Sequence, residues 1–267
     1  MTLHFMHIGK TGGTAIKRSL RDARCAYWHD RGRHKVPETP YGPIKLEPHR
    51  FKLRDLPEGD HVFFCLRDPI ARFVSAFYSR HGQGGPGYSH RFEWSPDERR
   101  IFERFSTAQQ LAMALVSGRD DEREFAQWAM RHIRHTGLQR RFTGTDAHLR
   151  LHLGQIAYVA RQETLAADWE QMKSLFGLPP DLELPSDPAR AHRRDTSQDA
   201  PLDKPAIRAL REWYARDYRL LDFVDELRAE RGWGPDARRA ALSRKLRRRV
   251  VRVRALVANA PARPASR

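Results

Sequence analysis

The chain of 267 residues has only two cysteines, Cys25 and Cys65. Two thiols cannot make a disulfide framework, and they lack the neighbouring ligands of a zinc site. No apolar run approaches the length of a membrane-spanning helix. The N-terminus lacks the basic region, apolar stretch and cleavage site of a secretory signal; Leu3, Phe5 and Ile8 already read as a strand. The expected compartment is therefore a reducing cytoplasm. No internal repeat is visible. Acidic residues are missing altogether from Ala237 onward, where 11 of the 16 net positive charges fall. The first 236 residues carry only +5, so a nucleic-acid reading of the total charge is really a reading of the tail.

Apolar residues at 40% suffice for one sizeable core, and the length suits one large domain. The division expected is a body over 1–235 and a basic tail over 236–267. Met1 to Ile8 reads as a strand, Gly9 to Thr14 as a glycine-rich turn and Ala15 to Ala23 as a helix. Residues 31–59 hold five prolines and read as a long loop. His61 to Leu66 is a nearly continuous apolar run, as in a strand buried on both faces. Asp68-Pro69 is a cap followed by a first-turn proline, and Ile70, Phe73, Val74 and Phe77 give the stripe of the helix that follows. Gly82 to Gly87 is a second glycine-rich loop. Helical patterns cover 96–117, 121–135 and 165–176, with a strand at 155–160. A loop runs from Pro179 to Pro201, and one long helix from Pro205 to Arg231. Strands alternating with helices indicate an α/β fold around a largely parallel sheet.

Two strand-to-helix turns look built for anions. In His7-Ile8-Gly9-Lys10-Thr11-Gly12-Gly13-Thr14, a glycine-rich turn at a helix N-terminus gathers backbone N–H groups and partial positive charge. Lys10 adds a full charge, and Thr11 and Thr14 add hydroxyl donors. A turn that merely connects two elements is the bland alternative. The nucleotide triphosphatase pattern does not fit. Its first glycine would fall on His4, inside the strand, and no magnesium-binding aspartate follows; Asp68, the nearest, is better read as a cap. The second turn runs from Phe63 to Tyr78. Arg67 ends a buried strand, at the edge where open α/β sheets collect ligands. Ser75 lies about 140° around the helix from Ile70, off the apolar stripe, so it can share a ligand with Arg67. An ion-paired Arg67 and an ordinary exposed Ser75 are the structural alternatives.

Together these turns resemble those of sulfotransferases that use 3′-phosphoadenosine 5′-phosphosulfate (PAPS). Gly9-Lys10-Thr11-Gly12-Gly13-Thr14 is similar to their 5′-phosphosulfate loop, with Gly9 where the family usually has proline. Arg67-Asp68-Pro69, Arg72-Phe73 and Ser75 are similar to the 3′-phosphate motif. The closest subgroup is the carbohydrate type, heparan sulfate 2-O- and chondroitin enzymes and their bacterial relatives. The resemblance implies a three-layer, P-loop-like α/β sandwich and in-line sulfuryl transfer to an acceptor hydroxyl, expected on a saccharide or glycolipid. Lys10, with the backbone of Thr11, Gly12, Gly13 and Thr14, would hold the 5′-phosphosulfate. Arg67 and Ser75 would hold the 3′-phosphate, with Arg193 and Arg194 closing over the nucleotide, and no metal would be needed.

The family often has a Gly-His pair shortly before the second strand. His49 falls there, with Pro48 in place of the glycine, which makes His49 the expected base, titrating near 6–7. His81 and His135 are rivals, with Glu47 or Glu38 as fallbacks. Tyr88, Arg91 and Trp94 are the candidate acceptor contacts, or else rim residues packing a loop. Two other classes remain in view: a small-molecule kinase using ATP, and a non-enzymatic basic module. In the tail, Leu242, Leu246, Val250, Val253 and Val257 share one helical face among arginines. That pattern suits peripheral contact with the inner membrane, while no nucleic-acid partner is expected.

Overall fold

The computed structural model describes residues 1–28, 37–82, 93–187 and 199–235. In chain order the first elements are β1 (Leu3–Met6), α1 (Gly13–Asp22), β2 (Ala26–Tyr27), β3 (Glu38–Thr39), β4 (Gly42–Leu46), β5 (His61–Leu66) and α2 (Pro69–His81). Next come α3 (Pro96–Arg104), α4 (Ala108–Ala114), α5 (Asp120–His132), α6 (Arg140–Thr143) and α7 (Asp146–Leu151). The last are β6 (Ile156–Arg161), α8 (Leu165–Phe176), α9 (Lys204–Trp213) and α10 (Ala215–Arg231).

The sheet order is β2-β4-β1-β5-β6, and every neighbouring pair along it is parallel. Among the described residues only β3 runs antiparallel, beside β4. All of β1 is buried, as are all but one residue each of β5 and β6. Parallel strands need such cover on both faces. Ile16 and Leu20 of α1, Trp169, Met172 and Phe176 of α8, and Leu220, Val224 and Leu227 of α10 join the sheet residues in one core. A second core joins α2, α3, α4, α5 and α9 through Phe73, Phe77, Phe102, Leu111, Met130 and Leu210. The protein is thus an α/β fold with helices flanking a mainly parallel sheet. Among the described residues no helix is long and apolar enough to cross a membrane.

Three elements differ from the sequence expectation. The proline-rich stretch 31–59 contains β4, an interior strand. Its ladders to both neighbours begin at Ile44, so Pro43, which lacks an N–H, stands before the two-sided pairing. Gly42 takes φ +89°, and a Cβ there would lie 2.1 Å from the Met1 carbonyl oxygen. The helical stretch 96–117 is two helices, α3 and α4, each opened by a capping box: Ser95 with Glu98, and Thr107 with Gln110. The long helix over 205–231 breaks at Tyr214. Its hydroxyl donates to the Thr136 carbonyl at 2.6 Å. Three residues on, buried Asp217 accepts the N–H groups of Gln139 and Arg140 at 2.8 and 3.0 Å.

Candidate active site

β1 and β5 are parallel neighbours, so the turns that follow them lie at the same carboxyl edge of the sheet. After β1 the chain takes left-handed conformations at Lys10 (φ 67°) and Gly12 (φ 86°), and Gly12 is the N-cap of α1. The first N–H groups of a helix have no acceptor within it, so this turn offers donors to an anion. The Thr11 hydroxyl differs from its expected role. Buried, it donates to the Ile8 carbonyl at 2.8 Å and pins the turn from within. Thr14 remains half-buried on the first turn of α1.

After β5, Arg67 is held by its backbone. Its N–H donates to Gln139 Oε1 at 3.0 Å, and Gln139 Nε2 donates to its carbonyl at 2.7 Å. Gln139 is fully buried and anchored on Asp217. The Arg67 side chain donates from Nη1 to the Lys10 carbonyl at 3.3 Å, while its buried Nε–H has no hydrogen-bond partner among the described residues. Asp68 is a cap as expected. It accepts the Ala71 N–H at 2.8 Å with one carboxylate oxygen and the Tyr218 hydroxyl at 3.0 Å with the other. Arg72, only 2% exposed, donates to the carbonyls of Gly9 at 2.9 Å and Gly137 at 2.7 Å. It braces the first turn. Ser75 is half-buried on α2.

Three imidazoles meet at the first turn. The rings of His7 and His49 are 4.0 Å apart between centroids, and those of His49 and His135 are 5.3 Å apart. His49 Nδ1 lies 3.2 Å from the His7 carbonyl oxygen. That oxygen can only accept, so Nδ1 carries the hydrogen and Nε2 is the bare nitrogen of the neutral ring. Burial, then the charges of Lys17 and Arg134, push His49 down to about 4, against the opposing pull of the His7 carbonyl. This corrects the expected 6–7. Burial, with His49, Arg134, Arg72 and Lys10, pushes His135 down to about 2. His7 is lowered well below its ordinary value, chiefly by burial. All three are neutral at pH 7. Among the described residues no group of three His, Cys, Asp or Glu side chains is arranged to hold a metal.

The other candidates lie elsewhere. His81 packs in the second core against Phe77 and Phe102. Trp94 packs on Phe102 and donates its indole N–H to the Arg80 carbonyl at 2.7 Å. Glu47 is buried between His4 Nδ1 at 2.9 Å and Lys45 Nζ at 2.7 Å. Glu38 is exposed on β3. Tyr88, Arg91, Arg193, Arg194 and the 236–267 tail lie outside the described residues.

Sequence reasoning passed over Lys17. It follows Gly13 by one helical turn and so shares its face of α1. Gly13 abuts His7 so closely that a Cβ there would lie 2.3 Å from the ring. The Lys17 ammonium sits 4.7 Å above the Trp28 ring. Burial, then Arg21, pulls it down to about 8. The spacing from Gly13 was readable; the histidines it would face were not.

The Sulfotransferase family profile matches residues 2–224. Among solved structures the chain is similar to the sulfotransferase from Alicyclobacillus acidocaldarius, at 14% identity and a TM-score of 0.40, over 80% of this chain and 91% of that one. No curated protein sequence matches significantly. The family match spans both turns and all three histidines, and on it the chain belongs to the sulfotransferase family, enzymes of sulfuryl transfer.

Proposed function

We propose that the chain transfers a sulfuryl group from PAPS to an acceptor hydroxyl, with His49 as the base. The observation that carries this reading is the junction of the two turns. Arg67 bonds the Lys10 backbone and keeps a buried N–H with no partner among the described residues. A phosphate beside Arg67 would give that donor its acceptor, and the N–H groups opening α1 suit a second anionic group. The donor, when bound, supplies an activated sulfuryl group on a phosphate leaving group. Lys10 neutralises charge gathering on the leaving oxygen. Arg67 and Ser75 hold the 3′-phosphate, with Arg193 and Arg194 as further contacts. His49 Nε2 takes the acceptor proton as the acceptor oxygen bonds to sulfur and the sulfur–phosphate oxygen bond breaks. A neutral, correctly tautomerised imidazole is what that step requires.

The acceptor in this reading is a saccharide, with Tyr88 and Arg91 as its contacts, and the basic tail is an accessory for anionic membrane surfaces. Family membership sets the kinase alternative aside. Adenosine 3′,5′-bisphosphate without metal tests the donor assignment. At a hundredfold excess over its dissociation constant it should add about 2.7 kcal/mol, raising the melting temperature by roughly 5–10 °C. A larger shift with ATP and magnesium would overturn the assignment.

A further inference from the structure

Among the described residues three that are not glycine take a left-handed backbone: Lys10, Arg24 and His135, the last at φ 73°. The first and last of these come together at the candidate active site. His135 packs its half-buried ring on Gly9, the neighbour of Lys10, and a Cβ on Gly9 would lie within 2.8 Å of three of its ring atoms. A residue with a side chain is uncommon in this conformation. It persists where the surroundings over-determine it, and such residues gather at active sites.

The chain on both sides of His135 is anchored in that way. Ahead of it, the Arg134 N–H donates to Glu98 Oε1 at 3.2 Å. Behind it, the hydroxyl of fully buried Thr136 lies 2.8 Å from the carbonyls of Met130 and Ile133, and the Thr136 carbonyl accepts from Tyr214. Gly137 accepts from Arg72 at 2.7 Å, and Asp217 accepts the Gln139 N–H at 2.8 Å. Arg72 also holds the Gly9 carbonyl at 2.9 Å. One guanidinium thus grips both sides of the contact between His135 and the donor turn. Across from Gly9, the same ring meets His49, 5.3 Å away between centroids.

What this ring offers is shape. Among the described residues neither of its nitrogens makes a hydrogen bond. Burial, first of several causes, holds it down to about 2, so it takes a proton less readily than His49 at about 4 and is the poorer base. We propose that His135 is a positioning residue, a rigid spacer between Gly9 and His49 that fixes where the base stands relative to the donor turn. The role deepens the reading of His49 as the base and rests on it. In-line transfer is sensitive to such spacing, since a misplacement of about 1 Å can cost on the order of 10²-fold in rate. Lys17 of α1, Arg134 and the His7 ring face His49 from its other sides, and the His135 ring completes the enclosure that keeps water from it.

Two variants of the full chain separate shape from chemistry. His135→Asn removes the ring, and asparagine suits the left-handed backbone. Its melting temperature and its calorimetric affinity for adenosine 3′,5′-bisphosphate should stay close to the parent's. Its transfer from labelled PAPS to a pooled bacterial polysaccharide extract should slow roughly 10–100-fold. Water should then reach His49, so this imidazole, followed by NMR titration, should titrate at higher pH than in the parent. His135→Phe keeps a ring without nitrogens and should retain most of the transfer rate, with His49 titrating as in the parent. A parental rate in His135→Asn with an unmoved His49 titration would overturn the proposal. So would a folded His135→Phe that slows to the extent expected of His135→Asn, and either result stands if the other variant fails to fold. A parental rate in His49→Ala would instead remove the base assignment, and this role with it.

Discussion

Arg67 donates from Nη1 to the carbonyl oxygen of Lys10 at 3.3 Å, so the end of β5 grips the turn that follows β1. The residue proposed to bind one end of the donor thereby fixes the residue proposed to act at the other. Lys10→Ala should lower turnover more than donor affinity, because its contact strengthens as the leaving oxygen gains charge. Arg67→Ala should weaken donor binding by about 2–4 kcal/mol and also slow turnover, since the Lys10 backbone loses its tether. Titration with adenosine 3′,5′-bisphosphate beside steady-state kinetics checks this. Equal binding losses from both variants with normal turnover would contradict the division.

Arg72 carries a different expectation, although the resemblance places it beside Arg67. Its guanidinium is buried and spent on two carbonyls. Arg72→Met should leave both acceptors unsatisfied and cost roughly 2–4 kcal/mol of stability, read from denaturant unfolding. A change confined to donor affinity, with stability intact, would show instead that Arg72 touches the ligand.

The pH profile tests the base. With His49 held at about 4, kcat/KM should rise with pH through that region and be flat near 6.5. Lys17 lowers His49 by its positive charge, so Lys17→Met should move the rising limb to higher pH. His49→Ala should cost roughly 10²–10⁴ in turnover with donor binding near normal, and His81→Ala should leave turnover close to the parent. An unmoved limb in Lys17→Met would remove His49 from the assignment.

The same histidines make the fold acid-sensitive. Their folded values lie below the ordinary value of about 6.5, so the unfolded chain binds more protons as pH falls below that point. Stability from keeping them neutral is intact above about 6.5, and it drains away as pH falls toward His49's value of about 4. Urea midpoints measured from pH 7.5 to 4.5 should fall, and His49→Gln should flatten the decline. A decline equally steep in that variant would place its source elsewhere.

Much of this was legible because the signals were local. The apolar run 61–66 is β5 residue for residue, and Asp68-Pro69 opens α2. Both anion-seeking turns were readable because glycine, lysine and a strand-end arginine advertise themselves within a few residues. β4 was hidden because Gly42 and Pro43 argue against a strand, while its pairing depends on Leu3 and Ala26. The break at Tyr214 was hidden because it serves Thr136 and Gln139, far away in sequence. The two capping boxes, by contrast, were on the page and outweighed by helical periodicity. His7, His49 and His135 come from three separate segments, and only folding brings these three of the thirteen histidines together.

The contact between Gly9 and His135 ties together two positions far apart in sequence. A Cβ at Gly9 would stand 2.2 Å from His135 Nδ1, and His135 itself holds φ 73°. A proline at position 9 therefore cannot coexist with this imidazole where it lies. Gly9→Pro alone should thus be inactive and unstable, and His135→Gly should reopen the door. Across the family, residue 9 and residue 135 should be inherited as a pair.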